Sequence, residues 1–149
     1  MAVDPRSEQN IRTLRPEVQP LARKLIETAT EQGINVRVIS GTRSYQEQDA
    51  LYAQGRTTGG PKVTKARAGY SWHNFGIAFD VGIFSDDGKK YLGESPNYAK
   101  VGKIGEALGL EWGGSWKSFV DEPHFQYNPH DLSLAQCREW TEEGKDLCA

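Results

Sequence analysis

Long apolar runs are missing from this chain: none of its 149 residues fall in a stretch approaching the ~20 consecutive apolar residues of a membrane-spanning helix. The opening residues, Met-Ala-Val-Asp-Pro-Arg-Ser-Glu, lack the apolar core of a secretory signal, so the expectation is a protein made in the cytoplasm without stable membrane association. Cysteine is scarce. Cys137 and Cys148 are the only two, lie near the C-terminus and lack metal-ligand spacing; they read as free thiols, with a disulfide left open. Net charge is also small, because 18 basic and 20 acidic residues leave −2 and no chain-wide attraction to nucleic acid. Acidic residues are absent from 50–79, a window holding Arg56, Lys62, Lys65 and Arg67, which fits either a local basic rim or a solvated loop. Internal repeats, linkers and low-complexity segments are lacking too.

What is present points to a folded enzyme-sized unit. Four Trp, six Tyr and five Phe exclude the depleted composition of a disordered chain. The length fits one domain over 1–149, expected to be monomeric, with residues 1–13 polar and loose. Leu14, Val18, Leu21, Ala22, Leu25, Ile26 and Ala29 follow the three-and-four spacing of an amphipathic helix that Gly33 ends. Ile34 to Ser40 alternates as a half-buried strand. Ser44 and Glu47 form a capping box opening a helix through Gln54, and Arg56 to Tyr70 is a long aperiodic loop.

Ile77 to Phe84 reads as a strand with Ile77, Phe79, Val81 and Ile83 facing a core. Its other face, Ala78, Asp80 and Gly82, is small and leaves space beside Asp80. Ser85 to Lys89 is a turn whose Asp86-Asp87 pair lacks the ligand series of a calcium loop. A helix follows from Pro96 to Leu108, then a short strand running into a Gly-Gly turn with Trp112 and Trp116, for both of which core packing ranks ahead of sugar stacking. Pro123 to Tyr127 is a last strand with His124 and Gln126 on one face, and Ser133 with Gln136 opens a C-terminal helix. The class is α+β, a small antiparallel sheet flanked by helices.

A catalytic zinc takes three protein nitrogen or oxygen ligands and leaves a fourth position to water. His73, Asp80 and His124, each on or beside a strand, are candidates for that set; a buried structural histidine is the alternative for either ring. His130, after Asn128-Pro129, reads as a surface residue.

The residues around these candidates carry a resemblance. Ser71, His73, Gly76, Ala78 and Asp80, followed by Asp121, Pro123 and His124, give Ser-x-His-x-x-Gly-x-Ala-x-Asp and Asp-x-Pro-His. Together with Ser40-Gly41-Thr42-Arg43-Ser44, with 48–56 and with 112–116, this resembles the zinc D,D-carboxypeptidase and L-alanyl-D-glutamate endopeptidase family, which includes phage endolysins. The likeness spans roughly residues 14–127 and is strongest to the endolysin-type L-alanyl-D-glutamate peptidases. It implies that the antiparallel sheet carries the zinc site, as in hedgehog and D,D-peptidase folds. It further implies that His73, Asp80 and His124 bind Zn2+, that Asp121 is the general base, and that Arg43 is the electrophile.

Those implied roles suit the residue types. A carboxylate within reach of the attacking water can move its proton, and a guanidinium that keeps its charge can stabilise an oxyanion. Pro123 keeps Glu122 out of a helix, so Asp121 is expected in a turn; Glu122 ranks second as base. Arg43 has a plainer alternative, pairing with Asp49 or Glu47. Ser71 and Gln48 are candidates for binding substrate or supporting the ligands, and Ser71 could simply cap a turn.

The implied substrate is the peptidoglycan stem peptide, cut at L-Ala-D-Glu to degrade the wall and lyse a cell. A terminal D-Ala peptidase is one alternative, and a silent zinc domain that binds cell wall is another. Because that substrate lies outside the membrane, the resemblance also implies release through a pore made by a partner.

Overall fold

The computed structural model describes residues 3–149, and a helix stands where a loose N-terminus was expected. α1 (Pro5–Ile11) begins at Asp4, whose carboxylate accepts from the Ser7 backbone at 3.0 Å and the Ser7 hydroxyl at 2.6 Å, with Pro5 in the first turn. Only Ile11 gives this helix an apolar anchor, which is why it has no visible period. Its docking is polar: Val38 donates its N–H to Ser7 Oγ at 2.9 Å, and Asn10 donates to the Val38 carbonyl at 2.9 Å. Two side chains thus satisfy an edge that would otherwise be open to another strand.

α2 (Gln19–Glu31) starts at Gln19 rather than Leu14, because the residues before it form tight turns that still bury Leu14 and Val18. β1 (Asn35–Ser40) follows, then α3 (Tyr45–Ala53), opened by the reciprocal Ser44 and Glu47 capping box. β2 (Ala78–Phe84) is the central strand, and a short β3 (Tyr91–Leu92) pairs with its far end. α4 (Asn97–Ala107), β4 (Glu111–Trp112), β5 (His124–Gln126) and α5 (Leu134–Glu142) complete the chain. Among the described residues the sheet has five strands in the order β1-β2-β5-β4, with β3 beside β2, all antiparallel.

Phe79, Val81 and Ile83 face a core shared with α2, β1, Tyr98 of α4 and Phe125 of β5. The opposite face of β2 is open only at Asp80. Beside Gly82 the room is taken by Tyr91 and Ile39, since a Cβ there would lie 2.9 Å from the Tyr91 ring. The absent side chain at Gly82 therefore serves packing, not the site. Register decides what meets Asp80: it stands opposite Ser40 on one side and His124 on the other, so the three side chains emerge on one face. A break in register between Val38 and Ser40 adjusts β1 at this level.

Cys137 and Cys148 are buried and free, and burial pushes each thiol up to about 11. The Asp86-Asp87 turn is closed internally, with Asp87 accepting from Ser85 Oγ at 2.6 Å and from the Lys89 backbone at 3.0 Å.

Candidate metal centre and active-site cleft

His73 lies on a single 3-10 turn, Trp72–Asn74, fastened at both ends. Ser71 Oγ accepts from the His73 backbone at 3.3 Å, and Asn74 Oδ1 accepts from the backbones of Ser71 and Gly69. Asn74 also donates to the Arg43 carbonyl at 3.1 Å, while Arg43 donates its N–H to the His73 carbonyl at 2.9 Å. The chain then reverses at Gly76, whose φ of 75° favours glycine, and Arg15 bonds there to the Phe75 and Gly76 carbonyls. His73 and Arg43 are positioned as one unit.

The two imidazoles and Asp80 converge. His73 Nε2 is 3.3 Å from Asp80 Oδ2, and His124 Nδ1 is 3.3 Å from Asp80 Oδ1; the three ligand atoms lie within 4.8 Å of one another. Both histidines are almost fully buried, at 4% and 3% exposure. His73 Nδ1 is 2.9 Å from the Gly41 carbonyl, an acceptor, so Nδ1 carries the hydrogen and Nε2 turns a lone pair to Asp80. His124 Nε2 is 2.7 Å from Gln126 Oε1, and Ser40 donates to Asp80 Oδ2 at 3.1 Å.

Asp80 Oδ1 is buried without any hydrogen-bond partner despite its proximity to His124. An orphaned carboxylate oxygen 3.3 Å from a ring nitrogen is costly unless a cation lies between them. Ligands around a tetrahedral zinc with bonds of ~2.0–2.2 Å stand about 3.3–3.5 Å apart, which is the spacing of both contacts to Asp80. The donor set therefore fits a zinc-sized ion.

Electrostatics agree. Burial would raise the Asp80 carboxyl, yet the neighbouring His124 and His73 outweigh it and hold the group far below its ordinary value. Burial would lower His124, and the Asp80 carboxylate outweighs that in turn, so its imidazole is raised. The site holds a fixed negative charge that attracts either a proton or a metal.

Beside this triad opens a cleft of about 650 Å³ whose walls include Arg43, Lys65, Tyr70, Trp116, Phe119 and Asp121. Asp121 sits in the expected turn rather than on β5, donating its N–H to the Gly113 carbonyl at 3.0 Å and accepting from the His124 N–H at 3.1 Å. Gly113 must be glycine, since a Cβ there would come within 2.3 Å of the Asp121 carbonyl oxygen. The residue is on the surface, but desolvation of its carboxyl against the cleft wall, and then the Asp80 charge, raise its pKa despite the opposing histidines. Glu122 is exposed and does not line the cleft; its carbonyl accepts from Trp112 Nε1 at 2.7 Å.

Arg43 makes no ion pair within 4.0 Å among the described residues, so the pairing with Asp49 or Glu47 is not formed. Glu47 closes its capping box, and Asp49 accepts from the Ala68 backbone at 2.9 Å. Arg43 Nε is buried and unpartnered; burial lowers the guanidinium pKa, with the Asp80 and Glu47 charges opposing. Gln48 is fully buried, off the cleft wall, donating to the Ala66 carbonyl at 2.6 Å, so it supports the loop. Ser71 both lines the cleft and caps the His73 turn.

Of the basic run only Lys65 reaches the cleft; Arg56 covers Tyr52 at 3.9 Å and Arg67 covers Tyr70 at 5.1 Å. Trp112 packs in the core as expected. Trp116 does not: its ring lies 5.0 Å from the His124 ring on the cleft wall, because the 3-10 turn Gly113–Ser115 redirects the chain after β4. Leu134 of α5 also lines the cleft, and α5 is tied to the loop through Arg138, which donates to the Gly69 carbonyl at 2.9 Å and covers Tyr70. His130 is exposed, against Trp140. Phe119 carries no signal of a role in the sequence, Gln126 only the strand parity that puts it on the face of His124, and Trp116 lines the cleft where core packing was the expectation.

A buried His-Asp-His group at the floor of an open cleft, with a carboxylate and an unpaired guanidinium on its walls, defines a metal-dependent hydrolase. The family described as D-alanyl-D-alanine carboxypeptidase matches residues 64–127. The chain is 42% identical over 125 residues to a peptidoglycan L-alanyl-D-glutamate endopeptidase, CwlK, of Bacillus subtilis, covering 78% of this chain and 75% of that one. It is 30% identical over 134 residues to an L-alanyl-D-glutamate peptidase of Listeria phage A118, covering 83% of this chain but only 41% of that longer protein. Among solved structures, the Serratia marcescens L-Ala D-Glu endopeptidase ChiX superposes with a TM-score of 0.61 at 25% identity, over 83% of this chain and 86% of that one. The chain belongs to this family of peptidoglycan peptidases.

Proposed function

We propose that the protein is a zinc metallopeptidase of endolysin type that hydrolyses the L-alanyl-D-glutamate bond of peptidoglycan stem peptides and so degrades the cell wall. The observation that carries the metal assignment is the unpartnered Asp80 Oδ1, 3.3 Å from His124 Nδ1, on a carboxylate whose other oxygen lies 3.3 Å from His73 Nε2. In this reading His73 Nε2, Asp80 and His124 Nδ1 hold the ion. Zinc, when bound, supplies Lewis acidity that makes water a nucleophile near neutral pH.

The chain's own residues supply the rest. Asp121 accepts a proton from the attacking water and delivers it to the D-glutamate nitrogen as the carbon–nitrogen bond breaks; a pKa raised above the ordinary carboxylate value favours both halves of that transfer. Arg43 turns its free guanidinium donors to the carbonyl oxygen as it gains negative charge. Ser71 Oγ, on the cleft wall, has capacity left for a substrate group while it caps the His73 turn. Gln48 holds the loop that carries Lys65. The chain acts on the wall after leaving the cytoplasm, with a pore-forming partner as its route.

The test compares the wild type with Asp121→Ala on purified peptidoglycan. Wild type is expected to release free amino groups, and the variant to do so ~10²–10⁴-fold more slowly. Equal release by both removes Asp121 from the mechanism, and none from either removes the peptidase assignment.

A further inference from the structure

Beneath His124 runs a chain of hydrogen bonds, buried at His124 and Gln126 and half-buried at Glu111 and Trp116, that no ligand or base role accounts for. His124 Nε2 meets Gln126 Oε1 at 2.7 Å, Gln126 Nε2 meets Glu111 Oε2 at 3.4 Å, and Trp116 Nε1 meets the same oxygen at 2.7 Å. Gln126 is completely buried, and the Trp116 ring returns to lie 5.0 Å from the His124 ring. The loop of contacts is closed: imidazole, amide, carboxylate, indole and back to imidazole.

Two members of this loop have no choice of role. An indole N–H only donates, and an ionised carboxylate only accepts. Glu111 Oε2 must therefore receive both of its contacts, which orients the Gln126 amide with its NH2 toward β4 and its oxygen toward His124. That oxygen can only accept, so His124 carries its hydrogen on Nε2 and presents the Nδ1 lone pair to Asp80. Without Glu111 the amide could turn over, offer its NH2 to His124 and select the tautomer with Nδ1 protonated, which has no lone pair to give a metal at the nitrogen that faces Asp80.

We propose that Gln126, oriented by Glu111, is a positioning residue that fixes His124 as a metal ligand through Nδ1 and couples it to the Trp116 wall of the cleft. The proposal rests on the metal-site reading above. The two histidines then use opposite nitrogens: His73 is held by a backbone carbonyl on Nδ1 and faces the site through Nε2, while His124 is held by a side chain and faces it through Nδ1. Partners of this kind typically change metal affinity by ~10–100-fold.

Long-range proton–nitrogen NMR on metal-free wild type, at a pH where both imidazoles are neutral, is expected to show Nδ1–H for His73 and Nε2–H for His124. Nδ1–H at His124 overturns the proposal. Zinc affinity by chelator competition, on variants whose fold is checked by circular dichroism, is expected to drop ~10–100-fold in Gln126→Leu. The paired exchange Gln126→Glu with Glu111→Gln keeps the net charge and the acceptor facing His124 Nε2 while reversing the link between 111 and 126: the carboxylate at 126 accepts from His124 and from the amide NH2 at 111, which turns so that its oxygen accepts from Trp116. It is expected to recover affinity to within about threefold, a rescue that a merely space-filling role would not require. Wild-type affinity in Gln126→Leu, or no recovery in a folded double variant, overturns the proposal and leaves the metal site standing. Wild type that binds no zinc removes the metal site and the proposal together.

Discussion

The floor and the rim of the cleft are built to different standards. On the floor, each histidine has its outward nitrogen tied to an acceptor and its ring almost fully buried, and Asp80 projects from the middle of the central strand. On the rim, the segment Lys117–Val120 is exposed, Phe119 is 86% accessible, and its φ of 53° is one that non-glycine residues rarely adopt. The contrast separates two requirements. Ligand geometry must be held to a fraction of an ångström before any substrate arrives, whereas a rim that admits a branched polymer gains from exposed, adaptable side chains.

If the floor is the rigid part, disturbing it should cost most. Removing zinc with a chelator is expected to abolish peptidoglycan cleavage and to lower Tm, since ligand at a thousandfold excess over Kd contributes about 4 kcal/mol to stability. Unchanged Tm and activity in protein shown by metal analysis to be zinc-free would break the comparison at its root. Next comes Arg43→Met, expected to lower kcat ~10²–10³-fold with little change in Tm, because its Nε has no internal partner to lose. A loss confined to KM would move Arg43 from the reacting carbonyl to substrate binding.

The metal-free floor should also show its charge. His124 is raised above its ordinary 6.5, so its pairing with Asp80 stabilises fully below that pH and is lost as pH climbs through the raised value. Asp80 is held below its ordinary 3.8, so its contribution is complete above that pH and is lost on further acidification. Metal-free protein is expected to be most stable between these limits. The Tm gain on adding zinc should grow from pH 5 to pH 8 as protons stop competing for His124. A gain that shrinks over this range would contradict the ligand assignment.

The smallest effect belongs to the rim. Phe119→Gly relieves a left-handed backbone while adding chain entropy, so stability is expected to stay within about 1 kcal/mol of wild type. Cleavage should fall only a few-fold, seen in KM on intact peptidoglycan. A loss as large as that of Arg43→Met would place the rim among the rigid parts.

The same division governs what the sequence discloses. The His73 to Asp80 spacing, the parity that puts His124 and Gln126 together, and the capping boxes at Ser44 and Ser133 are local patterns, and they reappear in place. α1 was illegible because its stabilisation is a long-range polar contact between Ser7 and Val38, although Asp4-Pro5 ahead of Glu8 is a start signal that could have been read. Trp116 was misplaced because a glycine turn, not strand parity, sets its direction. The burial of Gln48 depends on a loop eighteen residues away in sequence folding back over α3, which no periodicity records.

The central claim is that this floor and rim together cut one particular bond. Mass spectrometry of purified peptidoglycan digested by zinc-loaded protein tests it most directly. The account predicts stem fragments with a new amino-terminal D-glutamate and glycan carrying a terminal L-alanine. Release of D-alanine alone, or an undigested wall with zinc bound, would contradict it.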